Sequence, residues 1–431
     1  MILSMYRVAT AIGGPLISHY LKKRLKRGKE DAGRFNERRG VAAEPRPEGR
    51  LIWMHGASVG ESLSMVPVIE EIVSRPDSPN VLVTTGTVTS AKLMRERLPE
   101  GAIHQFVPVD RLPYVTAFLD HWQPDLALWW ESELWPNLVV ETHDRQVPMM
   151  LVNARMSPPS FLRWQRWRSL ARALLGCFKV VLAQTEADVE RFRSLGAGNV
   201  VRMGNMKFAV PALPCDEGTL AEIRARTGLR PMWLAASTHA GEEEAAWQVH
   251  RAIKPSHPDL LTIIVPRHPE RGPEIATILR DAGARVAVRS NSEPVTPETD
   301  IYLADTLGEL GLFFRLASIV FMGKSLVPAG GQNTIEPARL GAAIITGPHY
   351  WNFDEITKAM KAAGGLEIVD DTDGLARAVQ RDLDQPAQAQ ARAKAAFEYV
   401  ERESRVLDVF MDHVAPFLDA PAAKEKPRAR A

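Results

Sequence analysis

Two stretches of this sequence open in the same way. Residues 51–61, LIWMHGASVGE, and residues 232–242, MWLAASTHAGE, each read as an apolar strand, a loop of small residues and the start of a helix. From each opening the chain alternates short apolar runs with helical segments, the pattern of βαβ units in a parallel sheet. Strands are predicted at 51–55, 81–85, 126–130, 148–153 and 180–184, then at 232–236, 261–266, 285–288, 301–303, 319–322, 343–346 and 367–369. Residues 211–218, PALPCDEG, read as a linker. The expected fold class is therefore α/β, with two Rossmann-like domains. Their functional loops belong at the carboxyl ends of the strands, and two such sheets facing each other would enclose a ligand cleft.

A length of 431 residues suits two domains, and 45% hydrophobic with 24% charged residues is ordinary for a globular protein. The net charge of +1 gives no reason to expect nucleic acid as a partner. Cys177 and Cys215 stand far apart without a metal-binding context and read as reduced thiols. The predicted divisions are a membrane-associated helix and basic segment at 1–35, a first domain at 36–212, a second at 213–395, a C-terminal helix at 396–419 and a disordered tail at 420–431.

The first 20 residues are mostly apolar, but Arg7 and Gly13-Gly14-Pro15 interrupt them, and a cluster from Lys22 to Lys29 follows. The positive charge comes after the apolar run, the reverse of a signal peptide. Spanning a bilayer needs about 20 apolar residues, so a helix lying in the interface fits at least as well as a crossing one. Either mode places the body of the protein on the cytoplasmic side. Residues 157–175 form a second basic, aromatic segment, with Phe161, Trp164 and Trp167 among Arg163, Arg166, Arg168 and Arg172. It suits a membrane surface or a phosphorylated lipid, and equally an ordinary packed helix with its arginines in solvent.

Several loops carry candidate chemistry. Ser58, Gly60 and Glu61 follow the first strand. A carboxylate there can take a proton from an attacking hydroxyl, although a first helical turn favours glutamate in any case. Glu131 and Glu133 lie among Trp129, Trp130 and Trp135 at a strand end, which suggests an aromatic-walled polar site; the tryptophans can also be core. Lys207 precedes the linker and can stabilise negative charge. The second half offers Ser237 and Thr238, Pro266-Arg267-His268, Gly308-Glu309-Leu310 and the run Gly331-Gln332-Asn333-Thr334-Ile335-Glu336. Hydroxyls, an arginine and glycine-exposed amides make a phosphate site, and Glu336 can accept from ribose hydroxyls.

Other motifs do not hold. Gly323-Lys324-Ser325 lacks the first glycine of a P-loop, and Asp371-Thr372-Asp373 reads as a helix N-cap. His55, His239, His268 and His349 lack ligand spacing, so no metal is expected. No GxGxxG follows a strand, which argues against a dinucleotide dehydrogenase.

Taken together, residues 55–61, 130–137, 204–207, 236–243, 265–271, 305–310, 325–337 and 347–353 resemble the bacterial 3-deoxy-D-manno-octulosonic acid (Kdo) transferases, which modify lipid A precursors. The resemblance implies a GT-B fold with an N-terminal membrane anchor, an acceptor domain first and a CMP-Kdo domain second. It implies an inverting glycosyltransferase without a cofactor, at the cytoplasmic side of the inner membrane. Its partners would be CMP-Kdo, a lipid A precursor and the membrane lipid surface. Glu61 matches the family's catalytic base, and Glu131 and Lys207 match positions that stabilise the transition state, with Glu133 competing for the role of Glu131. Ser58, Gly60 and Glu133 fall on the acceptor side. CMP contacts map onto Pro266-Arg267, 308–310 and 333–336. Family members usually carry Gly-Gly-His-Asn where this chain has Gln332, which bears on the pH response of that site. Two rivals predict different behaviour: a UDP-sugar transferase of envelope lipids would prefer uridine nucleotides, and a non-catalytic nucleotide-sugar sensor would survive loss of Glu61.

Overall fold

The computed structural model describes residues 2–419, so the predicted tail at 420–431 lies outside the described residues. The chain forms two compact units, one of residues 2–210 with 404–419, the other of residues 211–403. Each contains one seven-stranded parallel sheet.

In the first unit the strands are β1 (Leu51–His55), β2 (Asn80–Thr85), β3 (Ala102–Phe106), β4 (Leu126–Trp130), β5 (Met149–Ala154), β6 (Val180–Ala183) and β7 (Val200–Arg202), in the order β3-β2-β1-β4-β5-β6-β7. β1 and β4 are wholly buried along their length, which is why they read as unbroken apolar runs. β3 and β7 escaped the sequence reading. Both are sheet edges; β3 carries His104 and Gln105, and β7 has three residues ending in an exposed Arg202. An edge strand covered on fewer sides does not need a continuous apolar run.

One face of this sheet carries a core of Trp53, Phe118, Trp122 and Trp129 with Leu138, Leu174 and Phe192 from the covering helices. On the other side the helix Val406–Leu418 returns from the end of the chain and sets Phe410 against Trp130, with ring centroids 6.5 Å apart. The expected C-terminal helix is thus two helices: Pro386–Ser404 belongs almost entirely to the second unit, and Val406–Leu418 belongs to the first.

The second sheet runs β10 (Val286–Val288), β11 (Ile301–Leu303), β9 (Leu261–Pro266), β8 (Met232–Thr238), β12 (Ile319–Met322), β13 (Ala343–Thr346) and β14 (Leu366–Ile368). All seven of these strands were anticipated. The linker is shorter than predicted, because Asp216 caps a helix that already begins at Glu217, accepting from the Thr219 N–H at 2.7 Å. Asp371 likewise is an N-cap, accepting from Gly374 at 2.7 Å.

At the N-terminus two short helices, Ile2–Ile12 and Gly14–Lys26, meet at Gly13. No helix among the described residues is long and apolar enough to cross a membrane. The first of them docks on the first unit through Tyr6, whose hydroxyl donates to Asp110 at 2.8 Å, and through Arg7, paired with Glu141 at 2.7 Å. That leaves Met5, Val8 and Ile12, then Leu16 and Tyr20, exposed just ahead of Lys22, Lys23, Arg24 and Lys26.

Candidate active site

In an open α/β sheet, ligands sit outside the carboxyl ends of the strands where the strand order reverses. In the first sheet that point lies between β1 and β4, and Glu61 and Glu131 are the acids that follow those two strands. Ser58 caps the helix Val59–Val73, its hydroxyl oxygen accepting from the Glu61 N–H at 3.2 Å. Glu61 falls in the first turn, and its carboxylate turns back to accept from the Ala57 N–H at 2.8 Å. Gly60 borders open space, its missing Cβ meeting only the Ser58 hydroxyl at 4.0 Å.

Glu131 follows β4 in the left-handed region, with φ of 57°, and its N–H donates to the Val152 carbonyl at 2.9 Å. A non-glycine residue held there costs about 1–3 kcal/mol, a strain that neighbouring structure must impose. Burial and the adjacent Glu61 push the Glu131 carboxyl up to about 7, while Lys207 and Arg155 pull it down. Burial and Glu61 also raise Glu133. Three carboxylates and two cations are therefore brought into one electrostatic group.

Lys207 reaches that group through a chain of amides. Asn153, itself left-handed at φ 54°, accepts from the Met206 N–H at 2.9 Å. Gln184 donates to the Asn153 carbonyl at 2.9 Å and accepts from Asn205 at 3.0 Å. The turn at 205–207 is thus bolted to the ends of β5 and β6. Arg155 and this amide chain were not anticipated; an asparagine near the end of one apolar strand and a glutamine directly after the next were the available signal. The aromatic walls expected here are not walls: Trp129 and Trp130 are fully buried core residues, and Trp135 is half-exposed.

In the second unit the reversal lies between β8 and β12. Ser237, left-handed at φ 55°, and Thr238 end β8, and Thr238 donates to Glu243 at 3.0 Å. The Arg267 N–H donates to the Thr238 carbonyl at 3.0 Å, which joins the ends of β8 and β9. Arg267 and His268 are exposed, and the His268 ring lies 5.7 Å from that of His239. Asn333 donates to Glu336 at 3.1 Å and accepts from the Ile335 N–H at 3.2 Å. Burial raises the Glu336 carboxyl, opposed by the Asn333 hydrogen bond and by the charge of Arg267. Thr334 is buried with an unpartnered hydroxyl. Gly331 closes onto Lys324, its N–H 2.7 Å from that carbonyl, and Gln332 lies partly buried beside it.

Gly308, Glu309 and Leu310 follow β11, one strand beyond β9. The Glu309 side chain is committed to Arg289 and Thr306, which leaves Gly308, left-handed at φ 83°, and the local backbone as the exposed part of that loop. Sequence reasoning gave no role to Glu242. Its buried carboxylate accepts from the N–H groups of His239 at 2.9 Å, Lys324 at 2.6 Å, Ser325 at 2.9 Å and Leu326 at 3.0 Å, and so fixes the loop after β12. Among the described residues no group of three or more His, Cys, Asp or Glu is placed to hold a metal ion.

Comparison with known proteins converges on one family. Residues 33–210 match the family model for 3-deoxy-D-manno-octulosonic-acid transferase (kdotransferase). The 3-deoxy-D-manno-octulosonic acid transferase of Rickettsia bellii is 34% identical over 398 residues, 91% of this chain and 94% of that protein. The Haemophilus influenzae enzyme of the same name is 32% identical over 388 residues, 88% of this chain and 90% of its own. Among solved structures, the UDP-GlcNAc 2-epimerase from Neisseria meningitidis has 12% identity and a TM-score of 0.55, covering 85% of this chain and 100% of the epimerase. That likeness shows a shared fold, the paired Rossmann-type sheets of the GT-B kind. By identity and coverage together, this chain belongs to the 3-deoxy-D-manno-octulosonic acid transferases and is a glycosyltransferase.

Proposed function

We propose that this enzyme moves Kdo from CMP-Kdo to a hydroxyl of a lipid A precursor, with inversion at the anomeric carbon, in lipopolysaccharide biosynthesis at the cytoplasmic face of the inner membrane. The observation that carries the mechanism is the Glu61–Glu131 pair at the reversal point of the first sheet, with Lys207 beside it. Two carboxyls in one site cannot both ionise freely, and their environments separate their roles. Burial and the neighbouring Glu61 raise the Glu131 pKa to about 7, which favours its protonated form. Glu61 accepts the proton of the acceptor hydroxyl as its oxygen bonds to the anomeric carbon. The bond from that carbon to the CMP phosphate oxygen breaks, and CMP leaves with the electron pair. In the second unit, Arg267 and Ser237 would meet the phosphate and Glu336 with Asn333 the ribose, while Glu242 holds the neighbouring loop rigid. On the acceptor side, Gly60 leaves room next to Glu61, and Glu133 extends the acidic group. The exposed apolar row on the two N-terminal helices, followed by lysines and arginines, supports attachment in the plane of the membrane interface.

The test is transfer from CMP-Kdo, generated in situ, to a tetraacylated disaccharide lipid A precursor, followed by mass spectrometry. Wild type is expected to add one or more Kdo units and folded Glu61→Gln none. Failure of folded wild type, with transfer from a UDP-sugar in a parallel reaction, would reject the donor.

A further inference from the structure

Behind the acidic pair of the first unit lies a buried contact that the reaction itself does not use. The indole N–H of Trp130 donates to the Ser64 hydroxyl at 2.9 Å, and that hydroxyl donates to the Glu61 carbonyl at 2.8 Å. An indole nitrogen can only donate and a serine hydroxyl has one hydrogen, so the direction of both bonds is fixed. Trp130 is the residue before Glu131, and Ser64 lies three residues after Glu61 in the helix Val59–Val73. Two side chains that meet in the core are thus tied through the backbone to the two acids. Trp130 and Ser64 are 0% and 2% exposed, so solvent does not compete for either bond.

A third support comes from the end of the chain. Phe410, fully buried, sets its ring against Trp130 with centroids 6.5 Å apart. Its helix, Val406–Leu418, also packs against the turn Met206–Ala209, which bears Lys207, and so does the helix Val59–Val73. The elements carrying Glu61, Glu131 and Lys207 therefore pack on one another beside the returning helix. Glu131 needs such support, because a non-glycine residue at φ 57° is strained by about 1–3 kcal/mol. Its N–H is tied to the Val152 carbonyl, and a fixed Trp130 ring keeps the preceding peptide from rotating to relieve the strain. We propose that Ser64 and Trp130, backed by Phe410, are positioning residues that set the spacing of the Glu61 and Glu131 carboxyls. A misplacement of about 1 Å in such a pair can cost about 10^2-fold in rate. These roles rest on the reading of Glu61 and Glu131 as the acidic pair of the reaction.

The experiment compares kcat and donor KM of the full chain, with CMP-Kdo and a lipid A precursor, for Trp130→Phe, Ser64→Ala and the double variant, each assayed below its melting temperature. Trp130→Phe keeps an aromatic ring against Phe410 while losing the N–H. The matched control is Trp122→Phe, which removes another buried indole bond of the same unit, the one to Gln105 at 2.7 Å. Trp130→Phe and Ser64→Ala are each expected to lower kcat about ten-fold with donor KM unchanged. The double variant should be no slower than Ser64→Ala, because either change alone breaks the bond. Trp122→Phe should keep the wild-type kcat. An equal loss of kcat in Trp122→Phe would overturn the positioning role, since any loosened tryptophan of this unit would then act alike. Glu61→Gln is run in parallel. If it is inactive while Trp130→Phe and Ser64→Ala keep wild-type kcat, the positioning role alone is overturned; wild-type turnover by Glu61→Gln would reject the acidic pair itself.

Discussion

Glu61 and Glu242 stand the same distance after the starts of β1 and β8, yet their carboxylates are used differently. Glu242 is saturated by the amides of His239, Lys324, Ser325 and Leu326, whereas Glu61 accepts from the Ala57 amide, its only donor among the described residues. One repeat position has become a structural anchor and the other retains an oxygen for chemistry. Glu242→Gln places an NH2 group against backbone donors, so it is expected to lower stability by about 2–4 kcal/mol. Glu61→Gln can still accept from Ala57 and should melt close to wild type, while turnover falls by about 10^2–10^4. Thermal melts and rates on the two variants check the contrast; equal destabilisation by both would refute it.

Lys207 reaches Glu131 by way of Asn153, Gln184 and Asn205. Because its charge lowers the Glu131 pKa, Lys207→Met is expected to raise that pKa and shift the alkaline limb of the rate profile to higher pH. Asn153→Gly keeps the left-handed backbone but loses the acceptor for the Met206 N–H. It should lower kcat about ten-fold, through loss of one positioning hydrogen bond, and leave KM for the donor nearly unchanged. A profile unmoved in Lys207→Met would remove the coupling.

The second unit has an acid-sensitive element away from the site. His250 is fully buried, its Nδ1 2.9 Å from the Thr262 hydroxyl, with Trp247 stacked on it and Asp300, Lys254 and Arg230 around it. Burial and Lys254 hold its pKa down to about 4, so the folded state takes up its proton later than the unfolded chain. The stabilisation is complete above about pH 6.5 and is lost as pH falls toward 4, by about 3 kcal/mol at one pKa unit per 1.36 kcal/mol. Asp300, held down by Arg285 and Lys254, adds a loss at still lower pH. Stability measured from pH 7 to 4 should drop less in His250→Gln than in wild type.

Much of this was written in the sequence, and the omissions have physical causes. The interior strands were legible because burial on both faces demands continuous apolar residues; β3 was not because His104 and Gln105 break its apolar run, nor β7 because it has only three residues. The glycine-rich loops marked the carboxyl edges of both sheets. Their geometry was not legible, since left-handed Glu131, Asn153, Ser237 and Lys324 are imposed by the surrounding fold against ordinary preference. Trp129 and Trp130 were misjudged because a tryptophan at a strand end reads alike whether it points into core or solvent. Glu242 was overlooked although the internal repeat aligns it with Glu61.

The proton on Glu131 couples stability to rate. Its folded pKa, about 7, lies above the 4.5 of a free carboxyl, so the group favours folding at low pH and opposes it as pH rises through 7. Glu131→Gln carries no ionisable group and is expected to gain about 1–3 kcal/mol over wild type at pH 8 and nothing at pH 4. The catalytic consequence follows the same sign. If the neutral form of Glu131 is the active one, wild-type kcat/KM should fall above pH 7, and Glu131→Gln should lose that alkaline limb while keeping activity at pH 6. Loss of all activity in folded Glu131→Gln at pH 6 would show instead that the ionised carboxylate is needed, and Glu131 would then act as a charge facing the developing positive centre on the sugar.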